Sequence, residues 1–204
     1  MEKKRLVFLG AGGHSKSVYD SLDKEKYELI GYVDPKKTGT FYGVPVFGTS
    51  IEDVPDYKNC VYFVTIGDND VRQKNFEELR RNDLEIINIV DKTAIVADDF
   101  LMGIGNFIGK QAIVNGGVKV GDNCIINTRA LVEHDCLVGS NVHLSTNSVI
   151  NGGVIVEDNV FIGSMSVCIG LQTISKGATV GAGAVVLGDV AAGKTVVGVP
   201  AREK

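Results

Sequence analysis

The chain has 204 residues, of which 44% are hydrophobic, and its formal net charge at pH 7 is −4. This length allows one large or two small domains with a buried core. The small negative charge, without a basic face, excludes the nucleic-acid-binding classes, and no apolar run reaches membrane-spanning length. The 4 cysteines form no CxxC pair, so we expect reduced packing residues in a cytoplasmic protein.

Strand and helix patterns alternate through the first part of the chain. Buried-strand patterns occur at 5–10, 27–34, 44–48, 60–67 and 85–90, and helical patterns occur at 15–23 and 69–82. Strands that alternate with helices favour a parallel sheet. We therefore predict a small, Rossmann-like α/β domain over residues 1–90.

A glycine-rich turn, Gly10-Ala11-Gly12-Gly13-His14, stands between the first predicted strand and the first predicted helix. Backbone N–H groups at such a helix start favour a phosphate. Asp34 ends the next strand, where its carboxylate is placed to accept from a ribose hydroxyl, and Gly67 ends a later strand. The last glycine of the full dinucleotide fingerprint is missing. The pattern therefore favours a mononucleotide-type ligand, and a turn that merely connects two elements is the alternative.

A period of six residues begins where this alternation stops. From Ile108 to Val186 every sixth residue is aliphatic, with Cys168 as the single exception. This spacing matches neither an α-helix nor an isolated strand, and it is typical of a parallel β-helix. We expect each hexad to form a short strand and a corner, with the aliphatic side chain pointing inward. Gly or Asn directly after the aliphatic residue would take the unusual backbone angles of the corner. This domain covers residues 91–204.

Together these features resemble the bacterial sugar O-/N-acyltransferases of the sialic-acid O-acetyltransferase and UDP-4-amino-sugar acetyltransferase type. The resemblance rests on the Gly-x-Gly-Gly-His turn, the strand that ends in Asp, an Ile-Gly-Asp-Asn segment and the hexads. It implies a left-handed β-helix with three hexads per coil, a front domain that binds a nucleotide sugar, and a homotrimer with acetyl-CoA between subunits and no metal. The acceptor contacts that it implies by position are Gly12, Gly13, His14, Asp34 and Gly67.

One of the three histidines has the setting that a general base requires. Residues eighteen apart stack on successive coils, so Gly116 and Gly152 lie before and after His134, and we expect them to leave a slot for a thioester and an amine. Acyl transfer needs a base that is effective near neutral pH and a carboxylate that orients it. Asp135 can supply this carboxylate only if the chain bends at a corner. The resembling family has a catalytic histidine followed by an acidic residue here, which implies catalytic roles for His134 and Asp135.

The same resemblance implies the contacts of the acyl donor. It places His143 near acetyl-CoA and the backbone of Gly152, Ser164 and Ala182 along the CoA channel. His143 lies half a coil from His134, so we expect that the two side chains do not meet within one chain.

The leading interpretation is acetyl-CoA-dependent acetylation of a nucleotide-linked amino sugar. An O-acetyltransferase that acts on free or activated sialic acid is an alternative within the same class. A non-catalytic assembly module is an alternative of another class. A zinc hydratase would need three imidazoles around the metal, whereas the hexad domain contains only two histidines. The sequence does not distinguish N- from O-acetylation, or one nucleotide from another.

Overall fold

The computed structural model describes residues 2–204. The chain divides into two compact units, Met1–Ile89 and Val90–Lys204. The first is an α/β unit, and the second is a left-handed parallel β-helix.

The α/β unit is built on one six-stranded sheet with the strand order β3-β4-β2-β1-β5-β6. All neighbouring strands are parallel except β3 and β4, which form a hairpin. The elements are β1 (Lys4–Leu9), α1 (Gly13–Asp20), β2 (Tyr27–Val33), β3 (Thr40–Phe41), β4 (Val44–Gly48), β5 (Val61–Val64), α2 (Asn69–Arg81) and β6 (Glu85–Ile86), with 3-10 turns at Ile51–Asp53 and Tyr57–Asn59.

The inner strands β1 and β5 are the ones with continuous hydrophobic runs. The last four residues of β1 and all four residues of β5 are buried, as expected for central strands that are covered on both faces. Helix α2 buries Phe76 and Leu79, and its first turn is capped by Asp68, whose carboxylate accepts from the Val71 N–H at 3.0 Å. Because β2, β1 and β5 are neighbours and run parallel, their carboxyl ends lie side by side at one edge of the sheet.

The prediction of one strand at 85–90 is wrong. Glu85–Ile86 pairs with β5, whereas Ile89–Val90 begins a different sheet, which belongs to the β-helix. The two dipeptides hydrogen-bond to different partners, and a single continuous strand cannot serve both sheets. The first helix also differs from its predicted bounds, because it starts at Gly13 and ends at Asp20.

The β-helix consists of three sheets of very short parallel strands. The first sheet contains Ile89–Val90, Phe107–Ile108, Ile125–Ile126, His143–Leu144, Phe161–Ile162, Thr179–Val180 and Thr195–Val197, with Arg202–Glu203 antiparallel at its end. The second sheet contains Ile95–Val96, Ile113–Val114, Leu131–Val132, Val149–Ile150, Val167–Cys168 and Val185–Val186. The third sheet contains Leu101–Met102, Lys119–Val120, Leu137–Val138, Ile155–Val156 and Thr173–Ile174.

The hexad prediction is confirmed in its inward positions and in its stacking. Strands pair with the strand eighteen residues further on, as Leu131 does with Val149, except at the end of the first sheet, where Thr179 pairs with Thr195. The second residue of each of these strands, from Ile108 to Val186, is buried in one continuous core. Cys124, Cys136 and Cys168 lie in the same core, and none of them forms a disulfide.

The corners differ from the prediction. Positive φ occurs at every sixth residue from Gly105 to Gly183, which is three positions after each inward aliphatic residue and not one. The glycines directly after the aliphatic residues are needed for another reason. A Cβ at Gly109 would lie 2.8 Å from the backbone N of Thr128, and one at Gly163 would lie 2.5 Å from that of Ala182. Glycine there permits close contact between coils.

Candidate active site

His134 and Asp135 lie on a corner between the second and third sheets, directly after the strand Leu131–Val132. The His134 Nδ1 and the Asp135 Oδ2 are 2.9 Å apart. Both side chains are open to solvent, with exposed fractions of 67% and 75%. The pair is therefore accessible to a ligand from outside the coil.

The corner conformation explains why two consecutive side chains meet. Asp135 has a φ of 58°, in the left-handed region, where Asp and Asn are tolerated better than most residues. On a straight strand the two side chains would point to opposite faces. The bend that the sequence interpretation required is present.

Asp135 also sets the protonation chemistry of the imidazole. Its hydrogen bond raises the pKa of His134 above its ordinary value; desolvation opposes this, and the charges of Asp135 and Glu133 add smaller contributions that also raise the pKa. An ionised carboxylate only accepts hydrogen bonds, so Nδ1 carries the donated proton and Nε2 is left to accept one. Glu133 itself is held by Asn115, whose amide donates to Glu133 Oε2 at 2.9 Å.

The ring of His134 rests against Gly152 in the next coil. A Cβ at Gly152 would lie 2.7 Å from both Cε1 and Nε2 of the imidazole. The expected slot is therefore occupied on this side by the imidazole itself, and the glycine makes room for the ring rather than for a ligand. The Gly152 N–H donates to no acceptor within residues 2–204, and its carbonyl accepts from the Leu171 N–H at 3.0 Å.

Three of the four residues implied as CoA contacts lie elsewhere on the same chain. Ser164 and Ala182 stand on corners between the first and second sheets, and the Ser164 hydroxyl lies 2.8 Å from the Ser145 hydroxyl. His143 is in a strand of the first sheet and is only 8% exposed. Its Nε2 lies 3.3 Å from the Asn127 amide nitrogen, and its ring packs edge-on against Phe161. Of the four residues implied as CoA contacts, only Gly152 lies beside His134 within one chain.

All five residues implied as acceptor contacts line one cleft of the α/β unit, with a volume of about 590 Å³. They are Gly12, Gly13, His14, Asp34 and Gly67. The cleft lies at the carboxyl edge of β1, β2 and β5, the edge where open parallel sheets bind ligands. Lys36 and Lys74 add positive charge to its lining.

The glycines at the start of α1 leave this cleft open. Gly12 has a φ of −101°, which any residue can adopt, and a Cβ at either Gly12 or Gly13 would meet nothing within 4 Å. Neither backbone strain nor packing requires glycine at these two positions. The helix start also has no side-chain cap, and helix starts of this kind are where proteins bind anions.

Asp34 has a structural task that the sequence did not reveal. Its Oδ2 accepts from the Ala11 N–H in the glycine-rich turn, and its Oδ1 accepts from the Lys36 N–H, both at 2.8 Å. The carboxylate thus ties the end of β2 to the turn after β1. Each oxygen retains a second lone pair, so a hydroxyl of a ligand can still donate to it.

Sequence reasoning missed Arg72, the largest fully buried side chain of the chain, at 1% exposure. Its guanidinium donates to the carbonyls of Ile66 and Gly67 and to the Asn69 side chain, at 3.3, 3.0 and 2.9 Å. It therefore fixes the segment after β5 that forms one side of the cleft. An arginine within a charged helix gives no sequence signal for such a role.

Residues 2–204 form neither a metal-ligand cluster nor a membrane-spanning helix. In that range, no three His, Cys, Asp or Glu side chains come together as metal ligands would. None of the helices there is long and apolar enough to cross a membrane.

Comparison with known proteins assigns both units. Residues 5–79 match the family model of the PglD N-terminal domain, and residues 103–128 and 153–187 match the hexapeptide repeat of succinyl-transferase. The acetyltransferase domain of PglB from Neisseria gonorrhoeae FA1090 superimposes with a TM-score of 0.94 at 30% identity, over 99% of this chain and 100% of that one.

A mutant of perosamine N-acetyltransferase from Caulobacter crescentus, in complex with CoA and GDP-perosamine, superimposes with a TM-score of 0.91 at 33% identity. The match covers 98% of this chain and 96% of that one. The chain belongs to the nucleotide-amino-sugar acetyltransferase family. Membership in this acetyltransferase family agrees with the α/β unit followed by a left-handed β-helix.

The acetyltransferase-family chain also matches part of a longer curated protein. An uncharacterised protein of Acanthamoeba polyphaga mimivirus is 34% identical over 103 residues, or 50% of this chain. The match spans only 20% of the viral protein's length.

Proposed function

We propose that the protein transfers the acetyl group of acetyl-CoA to the amine of a nucleotide-linked amino sugar. The Caulobacter relative was solved with CoA and GDP-perosamine, and the Neisseria domain superimposes over nearly the whole chain. The observation that carries the proposal is the His134–Asp135 pair, whose Nε2 lies 2.7 Å from the point that a Cβ of Gly152 would occupy, together with the Gly152 N–H, which has no acceptor within residues 2–204. A base and a hydrogen-bond donor at one place are what acyl transfer to an amine requires.

In this mechanism His134 acts as the general base. Its Nε2 accepts a proton from the sugar amine while the amine nitrogen attacks the thioester carbonyl carbon. Asp135 keeps the proton on Nδ1 and stabilises the imidazolium that forms. The Gly152 N–H donates to the oxyanion of the tetrahedral intermediate. When the C–S bond breaks, the imidazolium returns its proton to the CoA sulfur, and the acetylated sugar and CoA leave.

The α/β unit would hold the nucleotide part of the acceptor. Gly12 and Gly13 leave room at the uncapped start of α1 for a phosphate, with His14 and the lysines Lys36 and Lys74 around it. Asp34 and Gly67 form opposite parts of the same lining. A concave site of this size suits a small ligand.

The donor site would be completed by a second copy of the chain, in a homotrimer. The outward residues of the second sheet are all aliphatic: Ile95, Ile113, Leu131, Val149, Val167 and Val185. An apolar surface of this kind marks an interaction site. The corners on the two sides of this sheet carry His134 with Gly152, and Ser164 with Ala182. A ring of three second sheets would bring one corner of each copy towards the other corner of the next. His143 would contribute from the adjoining first sheet.

Cytoplasmic localisation is part of the same proposal, and the four buried cysteines, none of which forms a disulfide, support it. The test of the function is direct assay of purified protein with acetyl-CoA and UDP-, GDP-, dTDP- or CMP-linked amino sugars. We expect CoA release and the mass gain of one acetyl group with at least one of them. The proposed function is wrong if no acceptor gives acetylated product, or if His134→Ala gives the same rate as the wild type.

A further inference from the structure

Leu171 has an unfavourable conformation that its own surroundings do not explain. It is one of the corner residues with positive φ, at 64°, and its side chain is 83% exposed. Of the fourteen corner positions from Gly105 to Gly183, ten hold Gly, Asn or Asp, which adopt this conformation most readily. An exposed leucine there is strained by its backbone conformation and gains little from burial in return.

Leu171 and the general base His134 lie against two consecutive glycines of the same corner. Its Cδ2 lies 2.7 Å from the point that a Cβ of Gly153 would occupy, and the imidazole of His134 lies at the same distance from the corresponding point at Gly152. The two glycines are consecutive, with Cα atoms about 3.8 Å apart. His134 therefore reaches this corner from the preceding coil, and Leu171 reaches it from the following coil.

The orientation of the imidazole makes this relation specific. Nδ1 is engaged by Asp135, whereas Nε2 and Cε1 are the ring atoms nearest to Gly152. The edge of the ring that must meet the reacting groups therefore faces Gly152, and Leu171 covers the next residue, Gly153. Asp135 points to the other side, because its Oδ1 lies 2.5 Å from the point that a Cβ of Gly117 would occupy.

We infer that Leu171 is a specificity-determining residue of the acyl-donor site and that its side chain is the apolar wall that limits the size of the acyl group transferred. This inference rests on the proposed function. In this arrangement the acetyl methyl group would lie between the imidazole edge and the leucine, and each further methylene group of a longer acyl chain would meet the leucine side chain. Discrimination of one methylene in an apolar pocket amounts to roughly 10- to 200-fold.

The test compares acetyl-CoA with butyryl-CoA in the full-length wild type and in Leu171→Gly. Glycine suits the positive φ, so this variant should fold at least as well as the wild type. Calorimetry gives the ratio of the two dissociation constants without any acceptor. We expect Leu171→Gly to shift this ratio at least tenfold towards butyryl-CoA. Where turnover is measurable, the ratio of kcat/KM should shift in the same direction.

Met165→Gly is the matched control. Met165 is the other apolar residue at a positive-φ corner, with a φ of 59° and 70% exposure, but it lies on the corner between the first and second sheets. Because Met165 lies next to Ser164, Met165→Gly can weaken the binding of both acyl-CoAs alike, but it should shift the ratio of their dissociation constants less than Leu171→Gly does.

Three results would overturn the inference: a Leu171→Gly ratio within twofold of the wild type, an equal shift in Met165→Gly, or loss of oligomeric mass in Leu171→Gly, which would make the leucine an interface residue. Failure of the proposed function is a separate result, namely that the wild type binds acetyl-CoA but acetylates no amino sugar. The binding ratio tests Leu171 in that case too.

Discussion

The imidazole of His134 occupies the space that a side chain of Gly152 would need, one coil further along the β-helix. The general base is thus positioned from two directions, by Asp135 at Nδ1 and by the bare backbone of Gly152 beneath Nε2. This makes the glycine essential for the geometry of the base, although it carries no functional group.

Gly152→Ala should lower kcat about a hundredfold while the protein stays folded. The new Cβ would lie 2.7 Å from the ring, and φ is not positive at this residue, so the imidazole must move and the backbone need not. A displacement of about 1 Å at a reacting group costs on the order of a hundredfold. The control is Gly116→Ala in the preceding coil, where the nearest atom to a Cβ is Asp99 Oδ1 at 3.4 Å. Equal activity of the two variants in steady-state assays would contradict the contact.

His134→Ala should lower kcat by roughly a hundredfold to ten-thousandfold, the usual contribution of a general base. The dissociation constant of acetyl-CoA, measured by calorimetry, should change little, because the imidazole acts on the amine proton. The turnover of His143→Asn is the comparison, because this variant changes the other histidine of the β-helix, which is buried on the first sheet. If His134→Ala keeps near-normal turnover, the base has been assigned to the wrong residue.

Asp135→Asn should move the acidic limb of the pH profile to lower pH. Asp135 raises the pKa of His134 because its carboxylate stabilises the protonated ring. The base works only when neutral, so in the wild type kcat/KM should rise with pH through that raised pKa. Without the charge the pKa falls and the rise begins earlier, while the plateau rate drops, though less than in His134→Ala. Asn tolerates the corner conformation. An unshifted acidic limb would show that another group controls the profile.

Arg72→Ala should destabilise the α/β unit by about 3 kcal/mol, because it removes a buried charged group and leaves its carbonyl partners without donors. Urea denaturation followed by a probe in this unit measures the loss. Arg81→Ala, an exposed change at the end of the same helix, should stay within about 0.5 kcal/mol of the wild type. Arg72→Lys should also raise KM for the acceptor, because a lysine ammonium cannot reproduce the several N–H donors with which the guanidinium holds the segment after β5. Equal stability of the Arg72 and Arg81 alanine variants would disprove this role.

The wild type should have a mass of about 65 kDa in light scattering, as expected for three copies of 21.8 kDa. Val149→Lys places a charge in the middle of the aliphatic second sheet and should give monomers that lack activity. Ile155→Lys makes the same change on the third sheet, where the side chain is exposed, and should leave the trimer intact. A wild type that is monomeric and fully active would refute the shared donor site.

In the α/β unit, the alternation of strand and helix patterns predicted the strands well where burial is continuous, as in β1 and β5. It failed at 85–90, since the hydrophobic pattern there is the same whether the residues join one sheet or two. Likewise, the cleft followed from the rule that ligands bind at strand ends, whereas the buried arginine beneath it did not. A charged residue in an amphipathic helix is usually exposed, and only packing shows otherwise.

The family resemblance supplied the eighteen-residue stacking that aligns His134 with Gly116 and Gly152. The sequence by itself determined a β-helix with a six-residue period and an inward residue in each hexad. These properties are local, because each hexad repeats the same inward residue at the same spacing. Only the tertiary structure decided which neighbour the imidazole rests against, where φ becomes positive, and that Leu171 reaches back to the same corner. Such contacts depend on the direction in which side chains leave a corner, and that direction is set by the stacked coils rather than by any one of them.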